Sequence, residues 1–375
     1  MRKGLLVLLM VSLAGKAWAL VPERRRDFDE RRPNEYLILP AVASLPGIGI
    51  FVGVLSSFSN IAGSGIDAAV AVAESVDETD ISVRVAALRD VPLPLPGMTF
   101  DYQYGNIKLG NFQTFLPGRD SPNFTIPITA EFDFQLIRPT IRLFERRFNL
   151  TYTLSYFKGF GFDEDGNEFP FSDHNASGAL FLDFTDDVVD PHVGVRLTYE
   201  TTLAAPKESI LGTSKNTGNI FGDDQEITVE SYEVGIFIPQ SEQVVWVWNN
   251  RYFQATGREE SDVVISGGSP PLRGYPDGRW RDRYGVFSAL EWRYTTETRV
   301  ELDFILARGI VQGLQYALFY EVGQVSPTPG KLLYEDMHQS YGAGVRALFD
   351  AIILRLDVAQ SDEGTQVHLT IGQPF

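Results

Sequence analysis

The chain has 375 residues, no cysteine and a formal net charge of −17. The strong negative charge excludes nucleic acid as a partner, because binding to phosphates needs a basic face. Without cysteine there are no disulfides or metal thiolates, so an exported chain of this kind must be stabilised by backbone pairing and packing.

Residues 1–19 have the order of a secretory signal peptide. Two basic residues come first, an apolar run extends from Leu5 to Leu13, and the segment closes on Ala-Trp-Ala. The apolar run is too short to span a bilayer, so we expect cleavage after Ala19 and export from the cytoplasm. Residues 20–45, which include VPERRRDFDERRPNE, are expected to be a short, flexible periplasmic lead-in.

Residues 36–66 carry no charged side chain. This span is long enough to form one membrane-spanning helix. Two prolines and several glycines divide this span into short pieces, which favours extended strands over a helix. From about Gly47 to the end, the dominant hydrophobic period is two. In GVFSALEWRY, for example, Leu290 and Trp292 share an apolar face, while Glu291 lies on the opposite face.

Fifteen strands can be located from this pattern, and we predict sixteen because single-chain bacterial barrels have even strand numbers. The missing strand is expected near residues 108–116 or 261–265. The fifteen strands are expected to start near residues 47, 65, 80, 98, 123, 140, 177, 191, 226, 242, 284, 314, 339, 351 and 365.

Strands with one apolar and one polar face build either a soluble sandwich or barrel, or a transmembrane barrel with its apolar face toward lipid. The polar face of these strands is repeatedly charged, and the apolar face carries aromatic residues near strand ends. With an export signal, these features predict an all-β fold, a transmembrane antiparallel β-barrel over residues 46–375. The charged residues expected in its lumen are Glu291, Arg293, Glu321, Arg346, Arg355 and Asp357.

The segment 261–283 contains GGSPPLRGYPDGRWRDR, in which four arginines are surrounded by glycine, proline and aspartate. Its prolines and glycines exclude a helix and predict a long loop. If Glu291 and Glu321 face the lumen, a loop folded into the barrel could place Arg273 beside both carboxylates. A solvated extracellular loop that binds polyanions is the alternative, and the residues alone leave both open.

The segments Leu272-Arg273-Gly274-Tyr275 and GRWRDR resemble the signature loop of the BamA/TamA outer-membrane superfamily, also called bacterial surface antigens. Four later segments are similar to the strands that follow this loop in the family, and they occur in the same order. These segments are SALEWRY, ALFYEVGQV, SYGAGVRALFDAIILRLDVA and VHLTIGQPF.

The resemblance implies that Arg273 enters the lumen and pairs with Glu291 and Glu321. It implies that Gly372 and the terminal Phe375 form a C-terminal signal read by the outer-membrane assembly machinery. Members of the family usually carry periplasmic POTRA domains before the barrel, and we expect this chain to be a short member without them.

The resemblance predicts a bacterial outer-membrane protein that assists insertion, assembly or translocation of proteins, through a weakly paired seam between the first and last strands. A passive channel or structural barrel is the alternative, and acidic loops at 163–168 and 222–226 suggest surface adhesion as a third function. Expected partners are outer-membrane lipids, unfolded barrel clients and a separately encoded periplasmic protein.

No enzymatic activity is predicted, since no nucleophile and base can be paired from the sequence, although a hydrolase on the barrel rim is kept as an alternative. No cofactor is predicted either. The segment DEDGNE at 163–168 could bind calcium, but a polar hairpin tip explains it equally well. The four histidines show no ligand spacing.

Overall fold

The structure is a computed structural model. It describes residues 34–45, 49–76, 80–115, 125–144, 146–162, 168–204, 227–256, 263–264, 272–276, 279–332, 335–349 and 353–374. The expected signal peptide, residues 20–33 of the expected lead-in, both acidic loops apart from Glu168, and Phe375 lie outside these residues.

The described chain is built almost entirely from β-strands, with two short 3₁₀ turns at Ile61–Gly63 and Pro329–Lys331. The first ten strands are β1 Glu35–Leu45, β2 Gly49–Ser59, β3 Asp67–Ser75, β4 Ser82–Pro92, β5 Met98–Phe115, β6 Thr125–Leu143, β7 Phe148–Phe162, β8 Glu168–Asp183, β9 Gly194–Ala204 and β10 Ile227–Pro239. The others are β11 Val244–Thr256, β12 Val263–Val264, β13 Arg281–Asp282, β14 Tyr284–Thr295, β15 Val300–Phe304, β16 Ala307–Ser326, β17 His338–Phe349, β18 Ile353–Ser361 and β19 Gly364–Ile371.

The strands form one antiparallel barrel sheet in which neighbours along the chain are neighbours in space. The sheet runs from β1 to β11 and then through β14, β16, β17, β18 and β19, while β12 and β13 pair only with each other. The start of β1 also pairs with the start of β16, with Tyr36 opposite Arg308 and Leu37 opposite Ala307, which closes the sheet. The all-β barrel class predicted from the sequence is therefore confirmed.

The sheet contains seventeen strands, which differs from the sixteen predicted. The difference arises after the arginine-rich loop, where one extended segment is divided in two. β14 ends at Thr295, and β15 resumes at Val300 along the same neighbour, β16.

The first strand corrects the predicted domain boundary. Residues Glu35–Leu45 were expected in the lead-in, but they form β1 and pair with β2 along their whole length. Neither expected position of the missing strand adds a strand to the barrel. Lys108–Phe115 continues β5, and residues 263–264 form the short β12 outside the barrel sheet. The uncharged span at 36–66 thus forms β1 and β2 rather than a helix.

No helix within the described residues has both the length and the apolar character needed to cross a bilayer.

Alternation within each strand separates an exposed face from a buried face. On β14 the exposed face carries Leu290 and Trp292, while Glu291 and Arg293 on the other face are fully buried. On the exposed face, Trp292, Tyr294 and Tyr316 stack side by side, with ring centroids 6.3 and 6.5 Å apart. The buried face is not only polar, because Phe132, Phe134 and Phe287 also point inward. Period two in the sequence therefore corresponds to the two faces of the sheet.

Candidate functional site

The loop between β11 and β14 returns to the buried face of the sheet at Leu272–Tyr275. A hydrogen bond from the Tyr275 amide to the Leu272 carbonyl, 3.1 Å long, closes this turn, and Leu272 adopts a left-handed φ of 56°. Leu272 and Tyr275 pack with apolar side chains of β11, β14 and β16. A Cβ on Gly274 would lie 2.7 Å from the Ser340 Cβ, so only glycine allows this close approach.

Arg273 is fully buried and contacts three carboxylates. Its Nε donates to Glu321 Oε1 at 2.6 Å, its Nη1 to Asp357 Oδ2 at 2.7 Å and its Nη2 to Glu291 Oε2 at 3.0 Å. The guanidinium lies 3.3 Å from the centre of the Phe319 ring. A guanidinium has five fixed donors, so one side chain satisfies acids from three separate strands, β14, β16 and β18.

The remaining residues of the expected charge network lie around these carboxylates. Arg293 Nε and Arg346 Nη2 each donate to Glu291 Oε1 at 2.6 Å, so three arginines meet at this one acid. Arg355 lies 3.3 Å from Asp357 Oδ2. All of these side chains are at most 1% exposed. Burying this many charges is tolerable only because each is paired with an opposite charge.

A second set of contacts ties the loop to the turn between β18 and β19. The Tyr275 hydroxyl donates to Asp362 Oδ1 at 2.5 Å, Arg279 Nη2 lies 2.8 Å from Glu363 Oε1, and the Ser361 hydroxyl donates to the Gly274 carbonyl at 2.7 Å. Burial raises the pKa of the Tyr275 phenol, and its hydrogen bond to Asp362 adds to the rise. The phenol therefore stays protonated as a donor. We call these contacts the hairpin clamp.

An aromatic stack flanks the hairpin clamp. The rings of Trp280 and His338 are parallel within 14° with centroids 3.5 Å apart, and Tyr275 meets the Trp280 ring edge-on at 5.6 Å. The Arg279 guanidinium lies 3.7 Å from the Trp280 ring centre. The loop is thus held by ring packing as well as by charge.

Replacing Tyr275 with phenylalanine tests the hairpin clamp, because it removes the hydroxyl and keeps the ring. We expect the free energy of unfolding to fall by about 1 kcal/mol, the usual contribution of one hydrogen bond. Urea unfolding followed by tryptophan fluorescence would measure it. Tyr341→Phe is the matched control, since this tyrosine lies on the exposed face of β17 and should give no change. Equal stability of Tyr275→Phe and the wild type would show that the hydroxyl is dispensable.

Several contacts of the site were not identified from the sequence, although Asp357 itself was expected in the lumen. Ser340 donates to Glu321 Oε2 at 2.7 Å, His368 Nε2 donates to the Arg273 carbonyl at 2.6 Å, and Asp357 bonds Arg273 directly. The period-two pattern does put these side chains on the buried face of their strands. Their pairing with the loop depends on register between strands, which no local pattern contains.

The predicted C-terminal signal is described only in part. Gly372 has φ 89°, a left-handed conformation that favours glycine, and its amide donates to the Ile353 carbonyl at 2.8 Å. Phe375 lies outside the described residues. Within the described part of the chain, no group of three or more histidine, aspartate or glutamate residues is arranged to hold a metal.

The fold and the site define a class of protein: a β-barrel with an arginine-bearing loop bound to its buried face. The Omp85 superfamily domain matches residues 99–375, and the chain belongs to this superfamily. Membership is consistent with a bacterial outer-membrane location, where Omp85 barrels such as BamA and CdiB are found. No curated protein matches the chain.

Solved structures share the fold at low sequence identity. CdiB from Escherichia coli has a TM-score of 0.58 and 15% identity, with 90% of this chain and 61% of that chain covered. BamA from Haemophilus ducreyi lacking POTRA domains 1–3 has a TM-score of 0.54 and 10% identity, with 90% of this chain and 68% of that chain covered. CdiB from Acinetobacter baumannii has a TM-score of 0.52 and 12% identity, with 90% of this chain and 59% of that chain covered. This chain therefore spans about three fifths of the length of either CdiB chain.

Proposed function

We propose that this protein is a bacterial outer-membrane β-barrel that assists insertion, assembly or translocation of proteins at that membrane. β14 and β15 together cross the membrane once, so the barrel has sixteen membrane-crossing strands. With an even number of crossings, both ends of the described chain lie on the same side of the membrane. The exposed faces contact lipid, and the segment Leu272–Tyr275 lies in the lumen. The contacts of Arg273 with three strands support this position.

The observation that carries the proposal is the state of the seam between β1 and β19. Among the described residues, no backbone ladder joins these two strands, although every other pair of neighbours in the barrel has one. β1 instead pairs at its start with β16, and the Ile38 amide donates to the Leu306 carbonyl at 2.7 Å. Unpaired strand edges are templates for another strand, so the seam offers incoming chains a place to pair.

The loop contacts explain how such a seam is tolerated. Arg273 and the hairpin clamp hold β18 and the turn into β19 from inside the barrel. The last two strands therefore keep their position without a ladder to β1. An edge fastened by side chains can open without unfolding the wall.

The alternative function is a passive channel or a structural barrel. Four fully or almost fully buried arginines, Arg273, Arg293, Arg346 and Arg355, fill the interior beside the loop, which disfavours an open pore. Only a measurement of activity distinguishes a structural barrel from an assembly factor. Expected partners are outer-membrane lipids, unfolded barrel clients, a separately encoded periplasmic protein and the assembly machinery during biogenesis.

The deciding experiment measures how fast an unfolded outer-membrane barrel folds into liposomes that contain this protein, compared with empty liposomes. Faster folding is expected, and the acceleration should disappear with Arg273→Ala because the seam strands lose their anchor. No acceleration by the wild-type protein would contradict the assembly function and leave the structural barrel.

A locked variant provides the matched control. Leu37→Cys combined with Ala307→Cys joins β1 to β16 at a paired position, and the chain has no other cysteine. If β1 must move during client insertion, oxidation should abolish the acceleration and reduction should restore it. Acceleration that is unchanged by oxidation would mean that β1 stays in place.

A further inference from the structure

The connection between β8 and β9 differs from the other turns at its end of the barrel. It contains ten residues, Phe184–Val193, whereas the connections β4–β5 and β10–β11 at the same end contain five and four. Short turns suffice to join antiparallel neighbours, so the additional length needs another explanation.

This segment has a fixed internal structure. Asp187 Oδ1 accepts the amides of Val189 and Asp190 at 2.7 and 3.1 Å. Asp186 Oδ1 accepts the amides of His192 and Val193 at 2.9 and 3.0 Å. Aspartates that bond nearby amides in this way shape compact turns, and they orient Val189 and Asp190 inward.

The tip of the segment reaches the opposite wall. Val189 is buried in a cluster with Leu348 of β17 and Ile353 of β18. Five strand pairings separate β9 from β17 around the sheet. Leu348 and Ile353 lie on the buried face of their strands. The segment therefore crosses the mouth of the barrel instead of following its rim.

A polar chain continues from this contact into the lumen. Asp190 Oδ1 accepts hydrogen bonds from Gln315 Nε2 at 3.0 Å and from Gln373 Nε2 at 2.9 Å. Arg346 Nη1 donates to Gln315 Oε1 at 2.9 Å and to Gln373 Oε1 at 2.6 Å. Arg346 also bonds Glu291, which bonds Arg273. Hydrogen bonds thus connect the segment with the arginine-rich loop at the other end.

We propose that Phe184–Val193 is a plug that closes the lumen opposite the arginine-rich loop and anchors the segment after β19 through Gln373. This rests on the proposed membrane barrel. With both ends closed, a client would pass along the wall at the seam and not through the lumen. Gln373 follows β19, so displacement of the plug would also release the last strand at the seam.

Cysteine crosslinking tests the position of the plug. Val189→Cys with Ile353→Cys places two thiols in contact across the mouth, in a chain without cysteine. A short bis-maleimide should join them in most of the folded protein, seen as a shifted band on denaturing gels. Phe184→Cys with Ile353→Cys is the control, because Phe184 is 55% exposed at the start of the segment. Equal crosslinking of both pairs, or none of the first, would overturn the proposal.

Solvent access to the lumen tests the closure itself. Leu348→Cys places a thiol beneath the plug, at a side chain that is 3% exposed. Asp190→Ala removes the two bonds of Asp190 to Gln315 and Gln373, and we expect a water-soluble maleimide to label this cysteine about tenfold faster than in Leu348→Cys alone. Asp303→Ala, at an exposed position of β15 at the same end, should leave the labelling rate unchanged. Equal labelling rates with and without Asp190→Ala would contradict closure. Neither assay uses client folding, so the plug can fail while the assembly function holds, and the reverse.

Discussion

Replacing Arg273 with alanine is expected to lower the free energy of unfolding by about 3–5 kcal/mol, the usual cost of breaking a buried ion pair. The change leaves Glu291, Glu321 and Asp357 without the cation that joins them, and all three are fully buried. Like charges close together without solvent repel, so the three acids would be driven apart. Loss of heat resistance on semi-native gels would measure the effect.

Two variants accompany this measurement. Arg299→Ala removes an arginine from an exposed position after β14 and should leave the unfolding temperature unchanged. Arg273→Lys keeps the charge but replaces the planar fork with a single ammonium, which cannot reach three strands in the same geometry. We expect it to be intermediate. If Arg273→Ala unfolds at the same temperature as the wild type, the loop does not stabilise the barrel.

Replacing Glu291 with glutamine is expected to have the largest effect of any single carboxylate change. Three arginines, Arg273, Arg293 and Arg346, converge on this side chain within 3.0 Å. Removing its charge leaves an excess of buried cations, and an amide offers donors where the arginines need acceptors. We expect poor refolding in detergent and a loss of heat-modifiable folded protein.

Glu321→Gln is the matched comparison for this prediction. Glu321 bonds one arginine side chain, together with the Arg273 amide and the Ser340 hydroxyl. Fewer cations depend on it, so its replacement should cost less than that of Glu291. A larger loss of folded protein with Glu321→Gln than with Glu291→Gln would show that the number of convergent arginines does not decide the effect.

Both backbone hydrogen bonds and side-chain contacts hold the strands of the barrel together. Ladders of backbone hydrogen bonds join neighbouring strands around the wall. At the seam between β1 and β19 the described residues have no such ladder, and side chains of the loop and of the Phe184–Val193 segment contact β18, the turn into β19 and Gln373. Regions held by few specific contacts open at lower cost than a continuous sheet. The seam is therefore where opening without global unfolding is expected.

The sequence by itself determined the two faces of the strands. A side-chain period of two puts Glu291 and Glu321 opposite Trp292 and Tyr320, and this depends only on local backbone geometry. The glycines and prolines around Arg273 likewise predicted a loop. The resemblance of the loop to that of the superfamily implied that Arg273 pairs with Glu291 and Glu321. In the structure these three side chains are in contact.

Only the tertiary structure decided which side chains meet across the barrel and where the barrel begins. Asp357 and Ser340 join the Arg273 site because β16, β17 and β18 align in a particular register, and Asp190 meets Gln373 across 183 residues of sequence. Residues of β1 were predicted as part of the lead-in, although the uncharged span at 36–66 favoured extended strands, and their pairing with β2 and β16 places them in the barrel. Contacts of this kind are set by closure of the whole sheet, and no segment of the chain contains that information.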